Sequence, residues 1–246
     1  MKLPVIVSIA LALINTYAST HNMHTEKMKT ETPTKVTIEF YHDVLCAWCF
    51  ALSPRVRQLA ENHPEIEIIH RSFALSPNKE RITQVFGSKE EGKRQIIQHW
   101  KAANANDDQH RINAELMVQK TFDYPYSMPA LMACKAAEFQ GGEQAHWDYF
   151  DAVQKAHLSE CRNINDPAVL IDVAQSLHLD IDRFKRDFES KRAQEAVEVD
   201  MESVHKYGVN SVPTLIINQS YKVSGAVSYN DLEDILTKVL NETINN

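Results

Sequence analysis

The stretch Val36-Thr37-Ile38-Glu39-Phe40-Tyr41-His42-Asp43-Val44-Leu45-Cys46-Ala47-Trp48-Cys49 decides how the rest of the chain is read. Val36, Ile38 and Phe40 alternate with Thr37, Glu39 and Tyr41, the period-2 pattern of a strand with one buried face. From Cys49 onward Leu52, Val56 and Leu59 recur at helical spacing, until Asn62-His63-Pro64 ends the run. Pro54 falls inside that helix, where it removes one backbone hydrogen bond and bends the axis. Two cysteines three residues apart therefore stand where a strand hands over to a helix.

Downstream, residues 66–71 read as a second strand carried by Ile66, Ile68 and Ile69. After Ser76-Pro77-Asn78 the character changes, and helix is expected over 90–103, 127–140, 143–158, 167–177, 181–189 and 192–207. Gly141-Gly142 breaks one helix, and Asn165-Asp166-Pro167 starts another with proline in its first turn. No fixed-period repeat is visible. The β pattern returns at Thr214-Leu215-Ile216-Ile217, turns through Asn218-Gln219-Ser220 and pairs with Tyr221-Lys222-Val223. A last helix from about Ser228 puts Leu232, Ile235, Leu236 and Val239 on one face. The early and late strands need each other to make a sheet of stable size, so the expectation is one α/β fold, residues 35–77 with 206–246, interrupted by an all-helical insertion over 78–205.

A chain of 246 residues that is 43% hydrophobic and 24% charged has the material for a substantial core. Its net charge of -7 argues against nucleic acid or an anionic membrane surface as partner. Met1-Lys2, the apolar run from Leu3 to Ile14 and the small residues before Ser19 have the layout of a secretory signal, expected over 1–18 with cleavage after Ala18. The run is shorter than the ~20 residues a spanning helix needs, so no membrane span is expected in the mature chain. Export to the periplasm or the extracellular space follows; a cytoplasmic protein starting at Met23 or Met28 is the alternative. Residues 19–34 are polar and aperiodic, the composition of a disordered leader.

Two thiols three apart at a helix start can close a small disulfide. The unpaired N–H groups and positive dipole end there stabilise a thiolate at Cys46, the attacking sulfur, while Cys49, one turn in, resolves the mixed disulfide. A zinc site normally wants a second close Cys or His pair, none is visible, and no metal is expected. Glu39 and Asp43, on the strand-to-loop approach, are the proton-relay candidates; the plainer alternatives are an exposed strand residue for Glu39 and a turn or cap side chain for Asp43. Cys134 has the spacing of a buried small hydrophobe, and Cys161, in Ser159-Glu160-Cys161-Arg162-Asn163, is expected to be exposed. A second redox pair and two unrelated thiols both remain open for them. Trp100 and Trp147 read as core anchors.

The segment from His42 to Phe50, Pro54 five residues past the second cysteine, and Gly208-Val209-Asn210-Ser211-Val212-Pro213-Thr214 together resemble the DsbA-like branch of the thioredoxin superfamily. The stretch 133–142 and the His157-Leu158 region resemble the helical insertion of its FrnE-type members. The resemblance implies a thioredoxin-like fold, Cys46 as nucleophile, Cys49 as resolving thiol and Pro213 as a cis-proline facing them. It implies substrate contacts at Trp48, Val212 and Pro213, with the Val212 backbone free to pair with an extended peptide. Protein or peptide thiols and disulfides would be the substrates, and a thiol redox partner would reset the pair. No cofactor beyond the Cys46–Cys49 disulfide is implied, with glutathione as a possible co-substrate. Ala47-Trp48 lacks the histidine that makes some members strong oxidants, which leaves the direction open. The same scaffold serves kappa-type glutathione transferases and 2-hydroxychromene-2-carboxylate isomerases, which need no dithiol and commonly carry serine at the position of Cys46. A peptide-holding module using the groove near Val212-Pro213 is the non-enzymatic rival.

Overall fold

The structure, a computed structural model, describes residues 35–244; the expected signal at 1–18 and leader at 19–34 lie outside the described residues. Strand β1 (Val36–His42) leads into helix α1 (Ala47–Asn62) and then strand β2 (Ile66–Ser72), which lies parallel to β1 with Val36 opposite Ile66 and His42 opposite Ser72. Seven helices follow before the sheet resumes: α2 (Arg81–Phe86), α3 (Lys89–Asn106), α4 (Ala114–Gln119), α5 (Met128–Gln154), α6 (Pro167–Ser176), α7 (Ile181–Phe188) and α8 (Lys191–Lys206). Strands β3 (Thr214–Ile217) and β4 (Tyr221–Ser224) and helix α9 (Tyr229–Ile244) complete the described chain. The sheet order is β2-β1-β3-β4, with β3 antiparallel to both neighbours. The first and last strands thus form one sheet across the helical insertion, the expected interrupted thioredoxin-like fold.

Caps mark most helix starts. Ser88, Asn113, Asp166, Asp180 and Ser190 each accept a first-turn N–H with the side chain, and Pro167 occupies a position whose N–H needs no partner. Gly141-Gly142, expected to separate two helices, instead kinks one: Gly142 has φ +67°, a conformation costly for other residues, and α5 resumes beyond it. After α5 the backbone widens into a π-helical turn at Lys155–Ser159. The short helices α2 and α4 have too few turns to leave a readable period in sequence. Among the described residues no helix is long and apolar enough to cross a membrane.

The alternation of β1 divides the interior. Val36, Ile38 and Phe40 join the main core with Leu52, Val56 and Leu59 of α1, Phe150 of α5 and Leu236 of α9. Tyr41 packs on the other face with Val204, Val209 and Ile216. Trp100 and Trp147 are buried, and each indole N–H has a partner, Tyr124 Oη at 3.1 Å and Ser53 Oγ at 2.8 Å.

Candidate active site at the start of helix α1

Cys46 is the N-cap residue of α1, with extended backbone (φ -80°, ψ 106°), and its Sγ accepts the Cys49 N–H at 3.4 Å. The carbonyl of Cys46 accepts the N–H groups of Cys49 and Phe50, so the pair sits in the first turn. The two thiols differ in access. Cys49 is fully buried, whereas Cys46 is 6% exposed and lines a cavity of about 360 Å³ with Trp48, Ile82, Phe86, Tyr124 and Val212. Burial pushes the Cys49 thiol well above its usual range, and the adjacent Cys46 sulfur adds to the shift. Cys46 Sγ also lies 3.5 Å from the carbonyl oxygen of Val212, and the Val212–Pro213 peptide bond is cis. Residues 166 positions apart in the chain therefore meet at one sulfur.

Buried hydrogen bonds hold the loop that presents Cys46. Asp43 Oδ1 accepts the Leu45 N–H at 2.8 Å, and Oδ2 accepts the Leu75 N–H and the Ser127 hydroxyl, both at 2.6 Å. The Asp43 carbonyl accepts the Cys46 N–H at 3.0 Å. From the end of α5, Gln154 Nε2 donates to the carbonyls of Asp43 (3.1 Å) and Cys46 (3.0 Å). Arg111 donates to the Phe50 carbonyl at 2.7 Å while its guanidinium lies 4.0 Å from the Phe50 ring centre. The insertion thus fixes the loop through Ser127 and Gln154. No local pattern announces these two residues, because their partners lie 84 and 111 positions away.

Asp43 is fully buried, and desolvation pushes its carboxyl up to about 6 against the pull of the three donors. Its charge and that of Cys49 each disfavour the other. Glu39, the other relay candidate, is placed elsewhere. It alternates with Phe40 and so lies on the sheet face of Tyr41, where it accepts from Arg71 Nε at 2.8 Å. Arg71 also reaches Asp200 of α8 at 3.3 Å, so Glu39 belongs to an ion network and not to the dithiol. Nor is Glu39 the exposed strand residue of the plainer alternative; it is buried.

Cys134 is buried, as its spacing implied, and burial raises its thiol far above the usual range. Cys161, expected to be exposed, is only 1% exposed. The polar residues around it turn outward because Cys161 adopts a positive φ of 53° and directs its thiol to the carbonyl of Asn113 at 3.2 Å. Burial raises that thiol to about 11. All four cysteines are unpaired. A further group went unread in sequence: His42, His70 and His146, each fully buried, meet in the core from β1, β2 and α5.

Comparison with known proteins bears on this geometry. The family described as DSBA-like thioredoxin domain matches residues 37–237. The ClpXP adapter protein SpxH of Bacillus subtilis is 27% identical over 216 residues, covering 83% of this chain and 68% of that protein. Among solved structures, a Nitrosomonas europaea protein described as a candidate protein disulfide isomerase superposes with a TM-score of 0.70 at 18% identity, covering 85% of this chain and 98% of that one. The cytosolic disulfide reductase DsbM of Pseudomonas aeruginosa, solved with GSH, superposes with a TM-score of 0.64 at 19% identity, covering 83% and 99%.

Proposed function

The chain belongs to the DSBA-like thioredoxin domain family, and from that premise we propose that it is a thiol-disulfide oxidoreductase of protein or peptide substrates, with Cys46 as nucleophile and Cys49 as resolving thiol. The observation that carries this reading is the asymmetry of the pair: an N-cap sulfur at a cavity rim, backed by a second thiol sealed in the core. Cys46 Sγ, which accepts the Cys49 N–H at the start of α1, attacks as a thiolate one sulfur of a substrate disulfide. A mixed disulfide forms and the other substrate sulfur leaves as a thiolate. Cys49 then gives up its proton, its sulfur attacks Cys46 Sγ, and the second substrate thiol departs, leaving Cys46–Cys49 oxidised. Run backwards, the same steps oxidise a substrate dithiol, and the potential of the resetting thiol partner sets the direction.

Burial holds Cys49 as a thiol until the mixed disulfide forms, which protects Cys46 from premature release of its substrate. Asp43 is the proton acceptor for that second step in this reading: burial holds its carboxyl near 6, and its charge bears on the Cys49 thiol. The cavity takes an apolar side chain beside Trp48, and the Val212 backbone pairs with the substrate chain. Glutathione is the small thiol best suited to reset the pair, and the GSH-bound DsbM structure supports that choice.

Equilibration of the purified protein across glutathione redox buffers, followed by alkylation and peptide-by-peptide reading of the cysteines, tests the proposal. Cys46 and Cys49 are expected to oxidise together as a two-electron couple while Cys134 and Cys161 stay unmodified. If Cys46 collects only stable glutathione adducts, the glutathione-dependent transferase or isomerase reading replaces this one. The SpxH relative favours a second reading, an adapter that holds a peptide without chemistry; full peptide binding by Cys46→Ser, together with no redox couple in the native protein, would select it.

A further inference from the structure

We propose that His42, His70 and His146 form a buried site for one transition-metal ion of the zinc class, separate from the cysteine pair. Their ligand nitrogens lie within 4.8 Å of one another, so a single point lies no more than about 2.8 Å from all three. A Zn–N bond needs ~2.0–2.1 Å, a closure that small ring rotations supply. His42 Nε2 and His70 Nδ1 are already 3.1 Å apart, near the separation of two nitrogens on one tetrahedral ion.

The ring chemistry fits a ligand better than it fits an empty core. His146 Nε2 is buried and, among the described residues, has no hydrogen-bond partner, an expensive state for a polar atom. His146 Nδ1 lies 2.7 Å from Glu138 Oε2, the carboxylate-to-histidine contact that fixes a ligand's tautomer and leaves Nε2 for the ion. Glu143 accepts the His70 backbone N–H at 2.9 Å and steadies the strand that carries the second ligand. Lys135 lies nearby and is paired with Glu138 and Asp200, both at 2.8 Å. Imidazole donors without sulfur suit zinc, copper, nickel or iron over calcium or magnesium.

No local pattern announces the triad, because its ligands are 28 and 76 residues apart and come from three elements. Such a site ties β1, β2 and α5 together just before the loop that carries Cys46. Being sealed, it fills as the chain folds.

The test uses the full chain with Cys46→Ala and Cys49→Ala, which removes the thiol ligands and makes the result independent of the oxidoreductase reading. The protein is refolded with and without zinc chloride, dialysed against a weak chelator and assayed for metal. One zinc per chain is expected, with an X-ray absorption first shell of nitrogen and oxygen and imidazole scattering, and His146→Gln in the same background should lose at least about tenfold in zinc affinity. NMR of the intact triad gives a readout that needs no further variant: the ring-nitrogen shifts of the three buried histidines should move on zinc loading. No retained zinc, retention unchanged by a folded His146→Gln, or unmoved triad resonances would each overturn the proposal.

Discussion

Glu39 and Asp43 stand four residues apart on the same approach to the cysteines, both are carboxylates and both are buried, yet the fold gives them opposite surroundings. Glu39 has a guanidinium at 2.8 Å and shares it with Asp200. Asp43 has no cation among its hydrogen-bond partners; two backbone N–H groups and a hydroxyl hold it. One carboxylate is a charge fixed for structure, and the other is poised to exchange its proton. The difference follows from strand alternation, which turns Glu39 to the α8 face, and from the end of β1, which lets Asp43 fold back under the loop.

Arg71 tests the structural side. Arg71→Leu leaves Glu39 and Asp200 buried with one cation fewer, and should destabilise the protein by about 3 kcal/mol in urea unfolding. The Cys46–Cys49 midpoint potential, read in the same variant under native conditions, should stay at its wild-type value. A moved potential would mean that the ion network reaches the dithiol.

A second prediction addresses Asp43 through pH. Its folded value of about 6 lies above the ordinary 3.8, so the folded chain holds this proton more tightly than the unfolded chain does. The resulting stability is fully present below about pH 3.8 and is lost as the pH rises through about 6. Stability of the wild type relative to Asp43→Asn should therefore fall across that window, by an amount on the order of 2 kcal/mol once solvent relaxation is allowed for. The rate at which a Cys46 mixed disulfide is resolved should rise through the same window in the wild type and lose that inflection in Asp43→Asn. A flat wild-type profile would remove Asp43 from proton transfer and leave it the turn residue that its bond to the Leu45 N–H also makes it.

Gln154 offers a smaller test of the same loop. Replacing it with leucine removes donors to the Asp43 and Cys46 carbonyls at similar volume, for a cost of about 1–2 kcal/mol, with faster amide exchange at residues 44–46. Unchanged exchange there would show that Asp43 and Ser127 hold the loop without help from α5.

The sequence carries its own partial account of this contrast. Local periodicity is enough for β1, α1, β2, the late hairpin and the longer helices, because each is written in consecutive residues. The cysteine pair is equally local. The same alternation also held the answer for Glu39: a residue flanked by Ile38 and Phe40 cannot share their face, so if they meet α1 it does not. What no local pattern holds is the pairing of distant polar groups. Ser127 with Asp43, Gln154 with the loop carbonyls, and His42 with His70 and His146 depend on how the insertion folds back over the sheet. Cys161 departs from its expected exposure for a related reason: polar neighbours predict an exposed segment, but one left-handed residue is enough to turn a single side chain inward.

Glu39 itself separates the two carboxylate roles most finely. Glu39→Gln keeps the size of the side chain and an acceptor for Arg71 while removing the charge, so it should cost about 1 kcal/mol of stability or less, with Asp200 still pairing the guanidinium. Mixed-disulfide resolution should keep its wild-type rate and pH profile, since the lost charge lies across the sheet from Cys49. If Glu39→Gln instead slows resolution as much as Asp43→Asn does, the two carboxylates act as one relay through the strand. The face on which a side chain lies would then no longer decide its role.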